Sequence, residues 1–359
     1  MIRPTRALAL LALALPIALP ASAPAQRPAE AGLLGARPVE RRFQDWLLVC
    51  DNTKVCRAQA TGAGGSLMVR RDPGPNGTVL VVLDGQEPTA DTSIPDIASI
   101  RVTGGVAPGG WRLDRPGESA RLQGQAALTF LWAIAPARTV SYRAGGETLE
   151  VSLAGLTAAL LAMDEVQGRA GTISASVRPG ARPATAVPAA LPVPVLRVPR
   201  PATAPVPRGF AAAVRRASAA ALRRGDCETT QHARAQDSAV ALGRDEVLVF
   251  LGCRLFNTGF ATLLLRAPRA APHRASAVVL PRAPGEDGGD NGDGVYTDLE
   301  WNARTAILSS GGHSCAGSCG SRTDWTWDGR AFRLARHFTY EGGGAELLDH
   351  YRTVVRIRR

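Results

Sequence analysis

The sequence has few aromatic residues and almost no lysine. Phe, Trp and Tyr make up 5% of the 359 residues, and Lys54 is the single lysine. Hydrophobic residues nevertheless reach 45%, which is ordinary for a globular chain and too high for a disordered one. The cores must therefore consist mainly of Leu, Val and Ala, and at about 150 residues per domain the length allows two domains.

The sequence also lacks the recurrent signatures of nucleotide-binding and hydrolytic enzymes. It has no glycine-rich phosphate loop, no dinucleotide fingerprint and no His-Glu-x-x-His pair. The stretch Gly312-His313-Ser314-Cys315-Ala316 lacks the final glycine of a nucleophile elbow. Because no set of residues takes the roles of nucleophile, base and oxyanion donor, the sequence favours a non-enzymatic protein without a cofactor.

One long apolar run stands out, and it lies at the N-terminus. Two arginines precede the run at residues 7–19, and Ala23-Pro24-Ala25 offers a small-x-small cleavage pattern. This order predicts a secretory signal peptide over residues 1–25. The run is shorter than the ~20 residues of a membrane-spanning helix and contains prolines, which disfavours an anchor. A lipoprotein is disfavoured as well, since no cysteine lies at the cleavage region.

We therefore expect a periplasmic or secreted protein that has no transmembrane segment after signal removal. The net charge is +11 and falls to +11 − 2 = +9 when the two arginines of the signal are removed. The arginines occur as scattered pairs without interleaved aromatic residues, which argues against specific nucleic-acid binding. Weak attraction to an acidic cell envelope is the better interpretation.

Export determines how the cysteines are interpreted, because an even number of cysteines in an oxidising compartment usually forms disulfides. Six cysteines allow 15 pairings. The sequential pairing keeps each bridge inside one domain, and we predict it. The predicted pairs are Cys50–Cys56, Cys227–Cys253 and Cys315–Cys319.

Composition divides the chain into five segments, and the predicted fold class is mainly β (α+β). The segments are a signal peptide (1–25), a flexible leader (26–42), a β-sandwich-like N-terminal domain with one or two helices (43–177), a Pro/Ala/Arg-rich linker (178–208) and a C-terminal helix followed by an antiparallel β-meander (209–359). Each proline of the linker removes a backbone donor, so we expect an extended spacer rather than a sheet interior. A docking ligand for a partner is the alternative.

Local patterns place the main elements of both domains. Residues 43–50 read as one strand, with Trp46, Leu48 and Cys50 on one face. Residues 126–135 and 153–167 read as helices, and Gly168 is the expected stop of the second.

In the second domain, residues 209–224 have helical spacing. Because their apolar face is mostly alanine, a helix packed on the domain is favoured over a membrane-surface helix. Asp328-Gly329 between two alternating runs predicts a hairpin.

Two stretches carry ligand-type side chains. His313, Cys315 and Cys319, with His337 as a further candidate, could bind zinc or copper or form a thiol redox pair. A structural disulfide between the two cysteines is the favoured interpretation.

Asp287, Asp290 and Asp293 lie in a glycine-rich acidic loop that could suit calcium. With Gly294 as the turn glycine, however, the first ligand position is Gly289, so a solvated turn is favoured there. We therefore assign no metal.

Several motifs follow one another along nearly the whole mature chain. They are Asp45-Trp46 before Cys50-Asp51-Asn52-Thr53 and Cys56, and the segments 151–155, 158–161, 163–172, 253–257, 319–320 and 325–332. Together they resemble an uncharacterised bacterial family, domain-of-unknown-function family 1176. The Asp-Trp…Cys start and the Ser-Leu-x-Gly segment also resemble the invasion-associated locus B family of exported β-sandwich proteins.

The resemblance implies an exported bacterial protein of undefined biochemistry and supplies no catalytic residue. In that family the Cys-Gly loop pairs with a cysteine after the final hairpin, and residues 337–342 here contain none. The leading hypothesis is a non-enzymatic, disulfide-stabilised periplasmic or cell-envelope protein that binds another protein or an envelope polymer. The alternative is a metal-binding or thiol-redox protein that uses His313, Cys315 and Cys319.

Overall fold

The computed structural model describes residues 35–60, 65–84, 94–103, 105–113, 119–200, 202, 204–228, 230–256, 259–282, 294–314, 319–341 and 350–358. The helices are α1 Gly124–Ile134, α2 Leu156–Gln167, α3 Phe210–Ala217, α4 Ala219–Arg224 and α5 Gln231–Ala235. The strands before residue 178 are β1 Val39–Phe43, β2 Trp46–Cys50, β3 Cys56–Ala60, β4 Ser66–Arg71, β5 Val79–Asp84, β6 Pro95–Val102, β7 Gly105–Val106, β8 Arg112–Leu113, β9 Ser119–Gln123, β10 Thr139–Ala144 and β11 Glu147–Ser152. The later strands are β12 Val195–Arg197, β13 Ser238–Ala241, β14 Glu246–Phe256, β15 Gly259–Pro268, β16 Ser276–Ala277, β17 Val295–Thr297, β18 Leu299–Asn302, β19 Ile307–Ser314, β20 Cys319–Trp327, β21 Phe332–Glu341, β22 His350–Val354 and β23 Arg356–Arg358.

The predicted mainly β fold is confirmed. In the first half one sheet runs in the order β1-β2-β3-β4-β5-β9-β8 and a second in the order β11-β10-β6-β7. Helices α1 and α2 pack with both sheets around one apolar core, which includes Trp46, Phe130 and Leu160. Gly145 and Gly146 take positive φ between β10 and β11, so this hairpin closes with a two-residue turn.

The single strand expected over residues 43–50 is wrong, because a hairpin turn divides it. Gln44 has φ 49°, and the backbone amide of Asp45 donates to the carbonyl of Ala154, which fixes the turn against the start of α2. A Cβ at Gly155 would lie 1.9 Å from the carbonyl oxygen of Phe43, so a glycine is required there. Residues 39–42, expected in the flexible leader, form β1 and pair with β2.

The proline-rich segment lies along the protein surface. Val187 and Val198 are buried, and Pro188 lies close to Gly168 at the end of α2. Further along, Val195–Arg197 pairs in parallel with Arg356–Arg358 near the C-terminus. Proline is tolerated beside this strand because the pairing involves only three residues at an edge. We call residues 187–199 the strap.

The second half contains two antiparallel sheets. One runs β13-β14-β15-β16 with β17 also paired to β15, and the other runs β18-β19-β20-β21-β22. Tyr296, Trp325, Trp327 and Phe332 contribute aromatic rings to the core between them. Strand β22 also lies against β2 of the first half. The C-terminal residues therefore contact both halves of the chain.

The helix predicted over residues 209–224 is divided into α3 and α4 at Ser218, and Phe210, Val214 and Leu222 pack on β14 and β15. The side chain of Arg215 attaches α3 to Asp237. Its guanidinium donates to both carboxylate oxygens of Asp237 at 2.6 and 2.7 Å, and both side chains are 11% exposed.

The predicted hairpin around Asp328-Gly329 is present between β20 and β21, with a longer turn than two residues. The Asp328 carboxylate accepts hydrogen bonds from the amides of Arg330 and Ala331 and from Nε of Arg333. Burial alone would raise the pKa of Asp328, but these hydrogen bonds outweigh it and hold the pKa below its usual value of 3.8. The ionised carboxylate therefore stabilises the turn.

Substituting Arg215 with alanine tests the attachment of α3. The substitution leaves the Asp237 carboxylate largely unpaired, and we expect the free energy of unfolding to fall by about 3 kcal/mol in urea denaturation. The neighbouring Arg216 is exposed and makes no ion pair within the described residues. The Arg216→Ala control therefore stays within about 0.5 kcal/mol of the parent. Equal losses for the two variants would contradict the assignment.

The Asp328 turn predicts a pH dependence. Because the folded pKa is lowered, the stabilisation is complete above pH 3.8 and is lost as the pH falls through the folded value. Asp328→Asn is expected to cost about 1 kcal/mol at neutral pH and progressively less in acid. Asp226→Asn, at a carboxylate that is 89% exposed, is the control. If the difference in stability between the parent and Asp328→Asn does not change with pH, the charge of Asp328 does not stabilise the turn.

Candidate functional site

The structure describes only part of the stretches that the sequence singled out. His313 lies in β19 opposite Gly320, and Cys319 begins β20 opposite Ser314. Cys315 and the acidic loop with Asp287, Asp290 and Asp293 lie outside the described residues. The predicted Cys315–Cys319 disulfide and the calcium alternative therefore stay predictions.

The backbones of His337 and His313 lie on opposite sides of β20 and are offset along it. His337 lies in β21 opposite Thr323, which is three residues along β20 from Gly320, the residue opposite His313. Three strand residues span about 10 Å. His337 is fully buried, and its Nδ1 lies 2.9 Å from the Thr323 hydroxyl oxygen. Across the part of the chain that the structure describes, no three His, Cys, Asp or Glu residues are grouped so that they could hold a metal ion.

Two of the three predicted cysteine pairs are disulfides in the structure. Cys50–Cys56 joins the facing ends of β2 and β3, and its sulfurs lie in the same core as Trp46. Cys227–Cys253 ties the residues after α4 to a bulge in β14. Trp46 is fully buried and its Nε1 donates to the carbonyl of Ser152. It is therefore a core residue rather than a binding aromatic.

The most extensive buried polar cluster lies where α2 ends. Arg169 is fully buried and donates to the carbonyls of Asp72 at 2.9 Å and Gly74 at 2.6 Å. It also donates to Oε1 of Gln167 and to the hydroxyl of Ser174. All four acceptors are neutral, so the guanidinium is held by its fork of donors rather than by a direct ion pair.

Gln167 extends the cluster to the first disulfide loop. Its Nε2 donates to the carbonyl of Lys54, inside that loop, and to the carbonyl of Arg71. The loop itself is held by Asp51, whose Oδ1 accepts from the amides of Thr53 and Val55. Burial is the largest influence on the Asp51 carboxyl and raises its pKa.

A second buried arginine, Arg71, and one buried carboxylate, Asp164, also belong to the cluster. The pKa of Arg71 is lowered to about 10, first by burial and then by the nearby Arg169, while Asp164 opposes both effects. The Asp164 carboxylate accepts from the amide and the hydroxyl of Ser176. Burial raises the pKa of Asp164, and these hydrogen bonds together with the two arginines limit the rise.

This cluster joins α2, the β4–β5 turn and the first disulfide loop, and it gives no substrate access because its central residues are buried. The sequence pointed to it only through the motif at residues 163–172, and the spacing did not reveal its contacts. We conclude that Asp164, Gln167 and Arg169 hold the fold together.

A shallow recess of about 380 Å³ lies beside β6 and β10. Ser99, Arg101, Arg143 and Thr148 are among its lining residues, and Asp96 pairs with Arg143 at 3.1 Å. The hydrogen bond from Arg143 is the main cause that lowers the pKa of Asp96. An ionised carboxylate already paired with arginine is a poor general base, so the recess offers polar contacts rather than acid–base chemistry.

Helices of the described residues fall short of the length and apolar character needed to cross a membrane.

Comparison with known proteins gives a family without an assigned activity. The family described as "Protein of unknown function (DUF1176)" matches residues 40–341. The chain is also similar to "Uncharacterized protein YpfG" of Escherichia coli (strain K12), with 26% identity over 314 residues that cover 85% of this chain and 89% of the relative. No solved structure matches the chain significantly.

Replacing the buried guanidinium tests the role of the cluster. Arg169→Met leaves the carbonyls of Asp72 and Gly74 without their donor, and we expect a loss of about 3 kcal/mol in the free energy of unfolding. Arg138→Met, at an exposed position, is the control and is expected to change stability by less than about 0.5 kcal/mol.

Arg169→Lys tests whether the positive charge alone, or the several N–H donors of the guanidinium, stabilises the cluster. It keeps the charge but loses the planar guanidinium, so it is expected to recover little of the stability. Full recovery with lysine, or a harmless Arg169→Met, would contradict the assignment.

Proposed function

The chain belongs to the family described as protein of unknown function DUF1176, and from that premise we propose that it is an exported, non-enzymatic binding protein of the bacterial cell envelope. Its partner is another envelope protein or an envelope polymer. The proposal extends to the whole mature chain, with the N-terminal 25 residues acting as a cleaved signal. The resemblance of the first half to the invasion-associated locus B family is part of the same proposal.

The observation that carries the proposal is the pair of disulfides. Cys50, Cys56 and Cys253 are almost fully buried, and each bridge joins cysteines that are neighbours in the cysteine order. Stable structural disulfides are rare in the bacterial cytosol and common after export. This agrees with the charged start and short apolar run that open the sequence.

Binding rather than catalysis is supported by the chemistry of the described surface. The extensive polar cluster at the end of α2 is buried and structural, and the recess beside β6 has its carboxylate paired with arginine. Exposed arginines recur along the proline-rich segment instead. Residues 178–208 carry five arginines and no Asp or Glu. Such a surface attracts anionic partners.

Processing and thiol content test the proposal together. We expect the chain recovered from the periplasmic fraction to begin at Gln26 and to show no free thiol when denatured without reductant, because we propose that Cys315 and Cys319 are paired like the other four cysteines. Mass spectrometry and thiol titration measure both. The alternative, a metal or thiol-redox protein using His313, Cys315 and Cys319, predicts a bound metal ion or a Cys315–Cys319 bridge that mild reductant opens before the other two bridges. A full-length, reduced chain in the cytosol would contradict export.

Partner capture tests the binding role directly. The tagged mature chain is cross-linked in the envelope fraction, and we expect the same protein or polymer to be recovered in repeated experiments. The matched control is a chain with Cys227→Ser and Cys253→Ser, which loses the bridge that ties α4 to β14. A parent chain that recovers no more than an unrelated exported protein would contradict the binding role.

A further inference from the structure

The two-stranded ribbon formed by β12 and β23 concentrates positive charge on one face. The strands are parallel, with Val195 opposite Arg356, Leu196 opposite Ile357 and Arg197 opposite Arg358. Two flanking backbone hydrogen bonds close the ends, from the Arg356 amide to the Pro194 carbonyl and from the Val198 amide to the Arg358 carbonyl. The ribbon is therefore a hydrogen-bonded unit rather than a chance approach of two segments.

Alternation along the strands separates a half-buried face from an exposed one. Leu196 and Ile357 are half-buried, whereas Arg197, Arg356 and Arg358 are exposed. Val195, which is 45% exposed, shares the face of the three arginines. The exposed face thus combines three guanidinium groups with one apolar side chain.

These arginines have no acidic partner among the residues that the structure describes. None of Arg197, Arg356 and Arg358 makes an ion pair or a side-chain hydrogen bond there, although other arginines, such as Arg215 and Arg336, do. Arg197 and Arg358 lie directly opposite each other. Like charges in that arrangement destabilise a sheet. The face is therefore unfavourable for the isolated protein and suited to an anion.

The strap fixes the position of this face. Pro194 lies near Gly35 at the entry to the first sheet, and Pro199 lies near Gly329 at the β20–β21 turn. Proline restricts the backbone between these points. Arginines on a restrained backbone lose less entropy on binding than arginines on a mobile tail.

We propose that the exposed face of the β12–β23 ribbon docks on an anionic phospholipid surface, where the three arginines bind headgroup phosphates and Val195 enters the interfacial region. Guanidinium groups match phosphate oxygens in pairs. An apolar side chain among basic residues is typical of surfaces that lie on a membrane. Leu191, which is 37% exposed on the same strap, adds apolar area nearby.

A lipid surface fits this face better than a nucleic acid. Single-stranded nucleic acids are held by aromatic side chains that stack on bases, and neither β12 nor β23 contains an aromatic residue. The inference rests on the proposed function, because export gives the chain access to envelope lipids. It adds a lipid surface to the protein or polymer partner proposed above and names the face that meets this surface.

Vesicle flotation of the chain from Gln26 onwards tests the proposal. We expect binding to vesicles of phosphatidylethanolamine with phosphatidylglycerol, and none to phosphatidylcholine alone. The ribbon variant carries Arg197→Gln, Arg356→Gln and Arg358→Gln. Because each arginine near an anionic surface contributes a factor of about five, this variant is expected to bind about 100-fold more weakly.

A control with the same net charge separates the ribbon from charge in general. It carries Arg216→Gln, Arg223→Gln and Arg224→Gln, which are exposed residues of α3 and α4. It is expected to bind within about threefold of the parent, because these residues belong to the two helices and not to the ribbon. Equal loss in the two variants, or no binding by the parent chain, would overturn the proposal.

Two further measurements complete the test. The first distinguishes loss of the basic face from unfolding, and the second distinguishes lipid binding from binding of a soluble polyanion. The ribbon variant is expected to melt at the same temperature as the parent or higher, since it removes like-charge repulsion. If it melts at a lower temperature and also loses vesicle binding, Val195→Asp, which keeps all three arginines, decides. Vesicle binding that Val195→Asp retains would then count against the proposal. Titration with an oligonucleotide and with polyphosphate at the same salt provides the second arm. Stronger, ribbon-dependent binding to either soluble polyanion would replace the lipid assignment.

These outcomes do not depend on the partner-capture experiment. Loss of lipid binding with a reproducible envelope partner would overturn only this inference, whereas a reduced, unprocessed cytosolic chain would overturn the proposed function.

Discussion

The buried guanidinium of Arg169 is the contact on which the arrangement of the first half depends. It holds the carbonyls of Asp72 and Gly74 in the β4–β5 turn, and through Gln167 it is joined to the first disulfide loop. A guanidinium surrounded by neutral acceptors is costly to bury, and it persists because its donors satisfy carbonyls that would otherwise have no partner. The strap begins beside this cluster, because Pro188 of the strap lies against Gly168 at the end of α2.

From Pro188 the strap runs along the surface and contacts both halves of the chain, with Pro194 near Gly35 and Pro199 near Gly329. It pairs with the last strand of the chain, while β22, just before that strand, completes one sheet and lies against β2. The proline-rich composition predicts an extended spacer, and the segment contains a short 3-10 helix at Ala184–Ala186 and the strand β12. Its pairing partner lies at the other end of the sequence, so local pattern could not reveal that the spacer is attached or that arginines from two distant segments share one face.

The sequence was informative where one local rule decides the structure. Gly168 ends α2 and Gly329 lies in the turn of the predicted hairpin, and both glycines have positive φ. It was misleading where a tertiary contact decided, as at Gln44, whose turn depends on the amide of Asp45 meeting Ala154. The cysteine order indicated two bridges that the structure contains. The sequence could not reveal the role of Arg169, since two of its four acceptors, the carbonyls of Asp72 and Gly74, lie 97 and 95 residues away along the chain.

The central claim is that a fixed basic face, rather than a mobile tail or net charge, meets the membrane. The most direct measurement is the fluorescence of an environment-sensitive dye on Val195→Cys, read on anionic vesicles whose acyl chains carry bromine quenchers. The account predicts a blue shift on binding and quenching by bromines near the headgroups, with no such change for a dye on Ala220→Cys in α4. Unchanged emission from position 195, on vesicles that bind the protein, would contradict it.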